Sequence, residues 1–149
     1  MNVNVKYKKL TNTAIVPTYG SGNAACLDLY ADLLDEQGAK LIYPHSTEKI
    51  GTGIAFQPPE NFCGLILARS GVATKYGLRP ANCIGVADPD YTGEYIVALH
   101  NDTDKLQYVH HGDRIAQLMF VEKYRIDLQE VETLDETERG ANGFGSTGR

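Results

Sequence analysis

Four short stretches carry residue types suited to chemistry on an anionic ligand. In "ARSG" (Ala68 to Gly71) a strand hands over to a brief helix. A helix start exposes unpaired N–H groups at a positive dipole end, which is a natural seat for phosphate. Arg69 adds a forked donor and Ser70 a hydroxyl, although the same residues also describe a capped helix with a surface arginine. In "GVADPDYTGE" (Gly85 to Glu94) the carboxylates of Asp88 and Asp90 flank Pro89 beside Tyr91. Carboxylates at a turn tip suit a general base or a metal site, and turns use the same residues for shape alone. In "AACLDLYAD" (Ala24 to Asp32) Asp28 lies between Leu27 and Leu29, so on a strand it faces opposite to both, and outward if the leucines face the core. The chain closes with "RGANGFGSTGR" (Arg139 to Arg149). Glycine-rich ends fray, but two arginines with neighbouring hydroxyls suit an anion, and a plain linker has no use for Phe144.

The elements that must position these groups read as strands. Val3, Val5 and Tyr7 alternate with polar residues, the period of a half-buried strand. "GIAFQ" (Gly53 to Gln57), "FCGLILA" (Phe62 to Ala68), "EYIVALH" (Glu94 to His100) and "RIAQLMFVEKY" (Arg114 to Tyr124) are further strands, rich in β-branched and aromatic residues. Turn signals such as "QPPEN", "RPAN", "HNDTD" and "HHGD" separate them. One short helix starts with Ser70 as its cap and stops at Gly77. Residues 33 to 50 hold at most one strand, at "KLIYP", and the acidic "DLQEVETLDETE" (Asp127 to Glu138) links the last strand to the tail along the surface. His110 and His111 lack metal-ligand spacing and read as a solvated turn. Many short strands with regular turns imply a sandwich, jelly roll or barrel.

Bulk composition narrows the function classes. A chain of 149 residues fits one domain, and 42% hydrophobic with 22% charged residues is ordinary for a globular protein. A net charge of −5 argues against nucleic acid or an anionic membrane as partner, so an anionic ligand needs a local arginine cluster or a metal ion. Cys26, Cys63 and Cys83 form an odd set without C-x-x-C spacing, which implies reduced thiols in a cytoplasmic setting. Neither a signal peptide nor a membrane span is expected. The sequence holds no G-x-S-x-G, P-loop or G-x-G-x-x-G motif.

Five stretches taken in order, "AACLDLYAD", "ARSGVATKYGL", "NCIGVADPDYTGE", "GDRIAQL" and "RGANGFGSTG", resemble the five motifs of the trimeric dUTP pyrophosphatase (dUTPase) family. The resemblance runs from Ala24 to Gly148. It implies an all-β jelly roll with one short helix over residues 1–138, and a flexible C-terminal arm over residues 139–149. It also implies a homotrimer in which that arm is exchanged and closes over a neighbouring subunit's site. The implied reaction is Mg²⁺-dependent hydrolysis of dUTP to dUMP and pyrophosphate, lowering dUTP and supplying dUMP for thymidylate synthesis.

Residue by residue, the resemblance makes Asp88 the catalytic carboxylate that activates water, and Asp28 the aspartate that reaches the magnesium through water. Arg69, Ser70, Gly71 and Gln117 would contact the phosphates. Asn82 and Gly85 belong to the hairpin that reads uracil, and Tyr91 would pack on the deoxyribose. In the arm, Arg139 would pair with the γ-phosphate and Phe144 would stack on uracil, with Gly145, Ser146 and Thr147 around the phosphates. Cys26, Ala68 and Ala87 depart from the family's usual glycine, proline and isoleucine, and Ala87 trims an apolar contact under Asp88. Two rivals are a dCTP deaminase of the same fold, which should need a different base-activating residue and a longer chain, and a non-catalytic nucleotide-sensing or partner-binding protein.

Overall fold

The computed structural model describes residues 2–33 and 39–143. Among these residues eleven strands and one helix follow in chain order: β1 (Lys6–Lys9), β2 (Thr18–Tyr19), β3 (Leu27–Tyr30), β4 (Ala39–Ile42), β5 (Thr47–Gln57), β6 (Phe62–Leu67), α1 (Ser70–Tyr76), β7 (Leu78–Pro80), β8 (Gly85–Ala87), β9 (Glu94–Asn101), β10 (Gln107–His110) and β11 (Arg114–Glu122). They form a four-stranded sheet β1-β5-β9-β7, a five-stranded sheet β2-β3-β11-β6-β8 and the pair β10-β4. Every paired strand is antiparallel, and the two larger sheets close on each other as a jelly roll.

Alternation explains the core. Along β9, Tyr95, Val97, Leu99 and Asn101 point inward and are at most 2% exposed, while the residues between them face out. Leu29 of β3, Ile42 of β4, Ile50 and Ile54 of β5, and Leu118 of β11 are all fully enclosed against them. Asn101 is the one wholly polar member of this set. Its amide donates to the carbonyls of Ile42 at 3.0 Å and Lys105 at 2.8 Å, and its Oδ1 accepts the Thr103 N–H at 3.0 Å, so a buried amide ties the end of β9 to β4.

The structure corrects several sequence expectations. β1 spans Lys6–Lys9 as a fully exposed edge rather than a half-buried strand, and its three lysines discourage edge-to-edge pairing. β5 begins at Thr47, six residues ahead of the expected start, because a register shift between Gly51 and Ala55 lets one long strand bend across the sheet. β7 overlaps the expected turn at "RPAN", β8 lies between the expected turns, and both are too short for periodicity to reveal. The helix does stop at Gly77, whose φ of 65° is the left-handed cap and whose N–H reaches the Ala73 carbonyl at 3.1 Å. Ser70, however, is the first helical residue and not the cap; Arg69 holds that position without a side-chain cap bond.

Candidate active site

Asp28 sits mid-way along β3, in register with Gln117 of β11 on one side and Thr18 of β2 on the other. It faces away from Leu29 as expected, but it is only 7% exposed. Two guanidinium groups cover it. Arg69 Nε donates to Oδ1 at 2.7 Å, and Arg114 Nη1 donates to Oδ2 at 3.2 Å. Arg69 also donates from Nη1 to the Arg114 carbonyl at 3.1 Å, which fixes the three residues as one unit. A carboxylate at this depth is tolerable only because it is paired and hydrogen-bonded on both oxygens. The sequence marks Arg114 only as the start of a strand; in the fold a register shift lies beside it, between Arg114 and Ala116, and its side chain reaches Asp28.

Gln117 completes this side. It pairs in register with Leu67 of β6, and its Nε2 donates to the Ala68 carbonyl at 2.8 Å, just ahead of the helix start. Asp28, Arg69, Ser70, Gly71, Arg114 and Gln117 together border a hollow of about 440 Å³. Cys26 lines it too, beside Asp28. A Cβ added at Gly71 would meet nothing within 4 Å, so the chain itself does not demand glycine there.

A second hollow of about 310 Å³ lies over the segment joining β8 to β9, bordered by Asn82, Gly85, Asp88, Tyr91 and Tyr95. Asp88 is exposed at the end of β8, and among the described residues its carboxylate carries no hydrogen bond or ion pair. Its backbone is held, since the Tyr91 N–H reaches the Asp88 carbonyl at 3.1 Å. The Tyr91 hydroxyl donates to the Glu94 carbonyl at 2.8 Å, so the ring folds back across the turn and stands half exposed. Behind it the Tyr95 ring lies 6.1 Å away, followed by Phe56 at 4.8 Å from Tyr95 and Phe120 at 5.7 Å from Phe56. Edge-to-face pairs such as the last two contribute roughly 0.5–1.5 kcal/mol each beyond their burial. Burial first, then the nearby Tyr91, Cys63 and Asp88, push the Tyr95 hydroxyl up to about 12.

The two hollows share no lining residue. Asp28, Arg69, Ser70, Gly71 and Gln117 are therefore brought together in one, and Asn82, Gly85, Asp88 and Tyr91 in the other. Arg139 joins neither; it is exposed, and its Nε donates to the Asn142 carbonyl at 3.0 Å. Phe144, Gly145, Ser146 and Thr147 lie outside the described residues. The histidine turn is more engaged than expected, because His111 Nδ1 accepts the Leu33 N–H at 3.3 Å and lies 3.5 Å from Asp32 Oδ1.

These features define an all-β jelly roll with an arginine-lined hollow and a separate acid-bearing turn. The dUTPase family model matches residues 12–148, and the chain belongs to that family. It is 41% identical over 149 residues to the deoxyuridine 5'-triphosphate nucleotidohydrolase of Desulfitobacterium hafniense, covering 99% of this chain and 97% of that one. Identity to the enzyme of the same name from Syntrophotalea carbinolica is 39% over 146 residues, covering 98% and 97%. Among solved structures, a mutant dUTPase of Staphylococcus bacteriophage 80alpha with dUpNHpp superposes with a TM-score of 0.87 at 25% identity, covering 98% of this chain and 99% of that one.

Proposed function

We propose that the chain hydrolyses dUTP to dUMP and pyrophosphate, with water attacking the α-phosphorus. One observation carries the reading: Asp28, Arg69 and Ser70 border one hollow and Asp88 borders another, and each hollow is incomplete on its own. Neither hollow alone holds both an anion seat and an unpaired carboxylate. A homotrimer would supply the missing half, with the Asp88 turn of one subunit facing the Asp28–Arg69–Arg114 seat of the next.

In that arrangement Arg69, Ser70 and the open backbone at Gly71 bind phosphate oxygens, and Gln117 orients them from β11. Asp88, solvent-facing and unpaired, is placed to accept the proton of the attacking water. The backbone around Asn82 and Gly85 reads the uracil edge, and the folded-back Tyr91 ring packs on the sugar. The arm from Arg139 onward, carrying Phe144, Gly145, Ser146 and Thr147, closes over the nucleotide and excludes water.

Magnesium fits this donor set only indirectly. Among the described residues no cluster of three acidic, histidine or cysteine side chains could hold a metal. Asp28 already receives one guanidinium on each oxygen, yet a carboxylate offers about four acceptor sites, so it retains capacity for a metal-bound water. Bound with the triphosphate, Mg²⁺ would neutralise phosphate charge. Three unpaired cysteines fit a reducing, cytoplasmic compartment.

The test is pyrophosphate release from dUTP, dTTP, dCTP and UTP with magnesium, together with ammonia release from dCTP. Pyrophosphate is expected from dUTP alone. Ammonia from dCTP would make the chain a deaminase, and silence with all four would leave a non-catalytic binder.

A further inference from the structure

Tyr95 has no role in the reaction above, but it lies directly beneath the residues that do. Its ring is 1% exposed, and it crosses from β9 of one sheet to β6 of the other. Its hydroxyl is the one buried side-chain polar atom without a hydrogen-bond partner among the described residues. Such an atom is a cost that a phenylalanine would avoid, so the position calls for an explanation. The explanation lies in what it faces. A Cβ at Gly64 would come 3.2 Å from that hydroxyl and 3.3 Å from Leu118 Cδ1, and Gly64 pairs in register with Ala87 of β8. A glycine, with the small Ala87 paired beside it and lining the same hollow as Tyr95, thus opposes a full tyrosine, and Ala87 is the residue immediately before Asp88. On its outer side the same ring backs onto Tyr91.

We propose that Tyr95 is a positioning residue for Asp88 and Tyr91: its ring fills the volume that Gly64 and Ala87 leave open and fixes the acid-bearing turn in one setting. The inference rests on the hydrolytic reading of that turn. Protein interiors are packed to the density of organic crystals, so a smaller side chain here leaves a void into which Ala87 and the turn can settle. Displacement of a reacting group by about 1 Å is enough to cost on the order of 10²-fold in rate. The hydroxyl is retained because the full length of tyrosine is needed to reach Gly64.

Four proteins test this beside the wild type: Tyr95→Phe, Tyr95→Leu, Ala87→Ile, and the double variant Tyr95→Leu with Ala87→Ile. Each is compared by kcat and KM on dUTP well below its unfolding midpoint, with the folded fraction checked by circular dichroism. Tyr95→Phe, which takes away only the atom that reaches Gly64, should lose less kcat than Tyr95→Leu. Tyr95→Leu should lose roughly 10–100-fold in kcat with little change in KM. Ala87→Ile should also lose kcat, because its added bulk competes with the ring, and the double variant should recover most of both losses. That reciprocal rescue is not expected of a residue that merely stabilises the fold. Wild-type kcat in Tyr95→Leu, or a double variant no better than either single one, overturns the proposal. If Tyr95→Leu does not fold, an unchanged kcat in Ala87→Ile overturns it. A wild type that fails to hydrolyse dUTP ends the functional reading and this inference together, whereas an active wild type with indifferent variants ends this inference alone.

Discussion

Replacing Asp28 by asparagine isolates the buried charge network from the chemistry at the turn. The side chain keeps its shape but loses its charge, leaving two guanidinium groups against a neutral amide. The 2.7 Å bond from Arg69 reaches a carboxylate that is 7% exposed, so its loss costs about 1.5–3 kcal/mol. The 3.2 Å bond from Arg114 comes from a side chain that is 50% exposed and contributes only about 0–1 kcal/mol. Arg69 remains partly open to water and can rehydrate, which keeps the total near 2–3 kcal/mol, below the roughly 3–5 kcal/mol of a fully buried broken pair. For a chain of 149 residues this lowers the melting midpoint by roughly 5–10 °C, read by thermal unfolding at fixed protomer concentration. In the same variant, half-maximal turnover should require about 10–100-fold more Mg²⁺, the usual effect of removing an outer-sphere metal partner. Stability within about 0.5 kcal/mol of wild type would show that the pair contributes nothing measurable. An unchanged Mg²⁺ requirement would remove Asp28 from the metal's surroundings.

Two further outcomes follow from the same geometry. Ending the chain before Arg139 removes residues that bury nothing where they are described, so the unfolding midpoint should hold while dUTP turnover falls steeply; loss of the fold would make the arm structural. Tyr95 should leave an alkaline signature. Its hydroxyl is held protonated up to about 12 while the unfolded chain titrates near 10, so its stabilisation is complete below about pH 10 and is lost as pH rises through 12, by roughly 2–3 kcal/mol. The difference in unfolding free energy between wild type and Tyr95→Phe, followed from pH 9 to 12, should move in favour of Tyr95→Phe, and a flat difference would refute it.

The long strands and the helix stop were legible in the sequence because alternation and a left-handed glycine are local signals. β9 shows its period in four inward residues, and Gly77 ends the helix by its own backbone preference. β2, β7 and β8, at two or three residues each, hold too few positions for a period to register. The Asp88 turn was legible as a turn, and its family motif supplied the expectation of chemistry. The burial of Asp28 was not legible, because its covers come from residues 41 and 86 positions away. Tyr95 was hidden for another reason: within "EYIVALH" it reads as one more inward strand residue, and only the pairing of Gly64 with Ala87 shows the space it fills.

Asp88→Asn, measured for both dUTP turnover and affinity for dUpNHpp, tests the role of the turn most directly. If the carboxylate accepts the proton of the attacking water, kcat falls by about 10²–10⁴ while the nucleotide mimic binds as tightly as to the wild type. Turnover at the wild-type rate, or a loss fully accounted for by weaker binding, would contradict it.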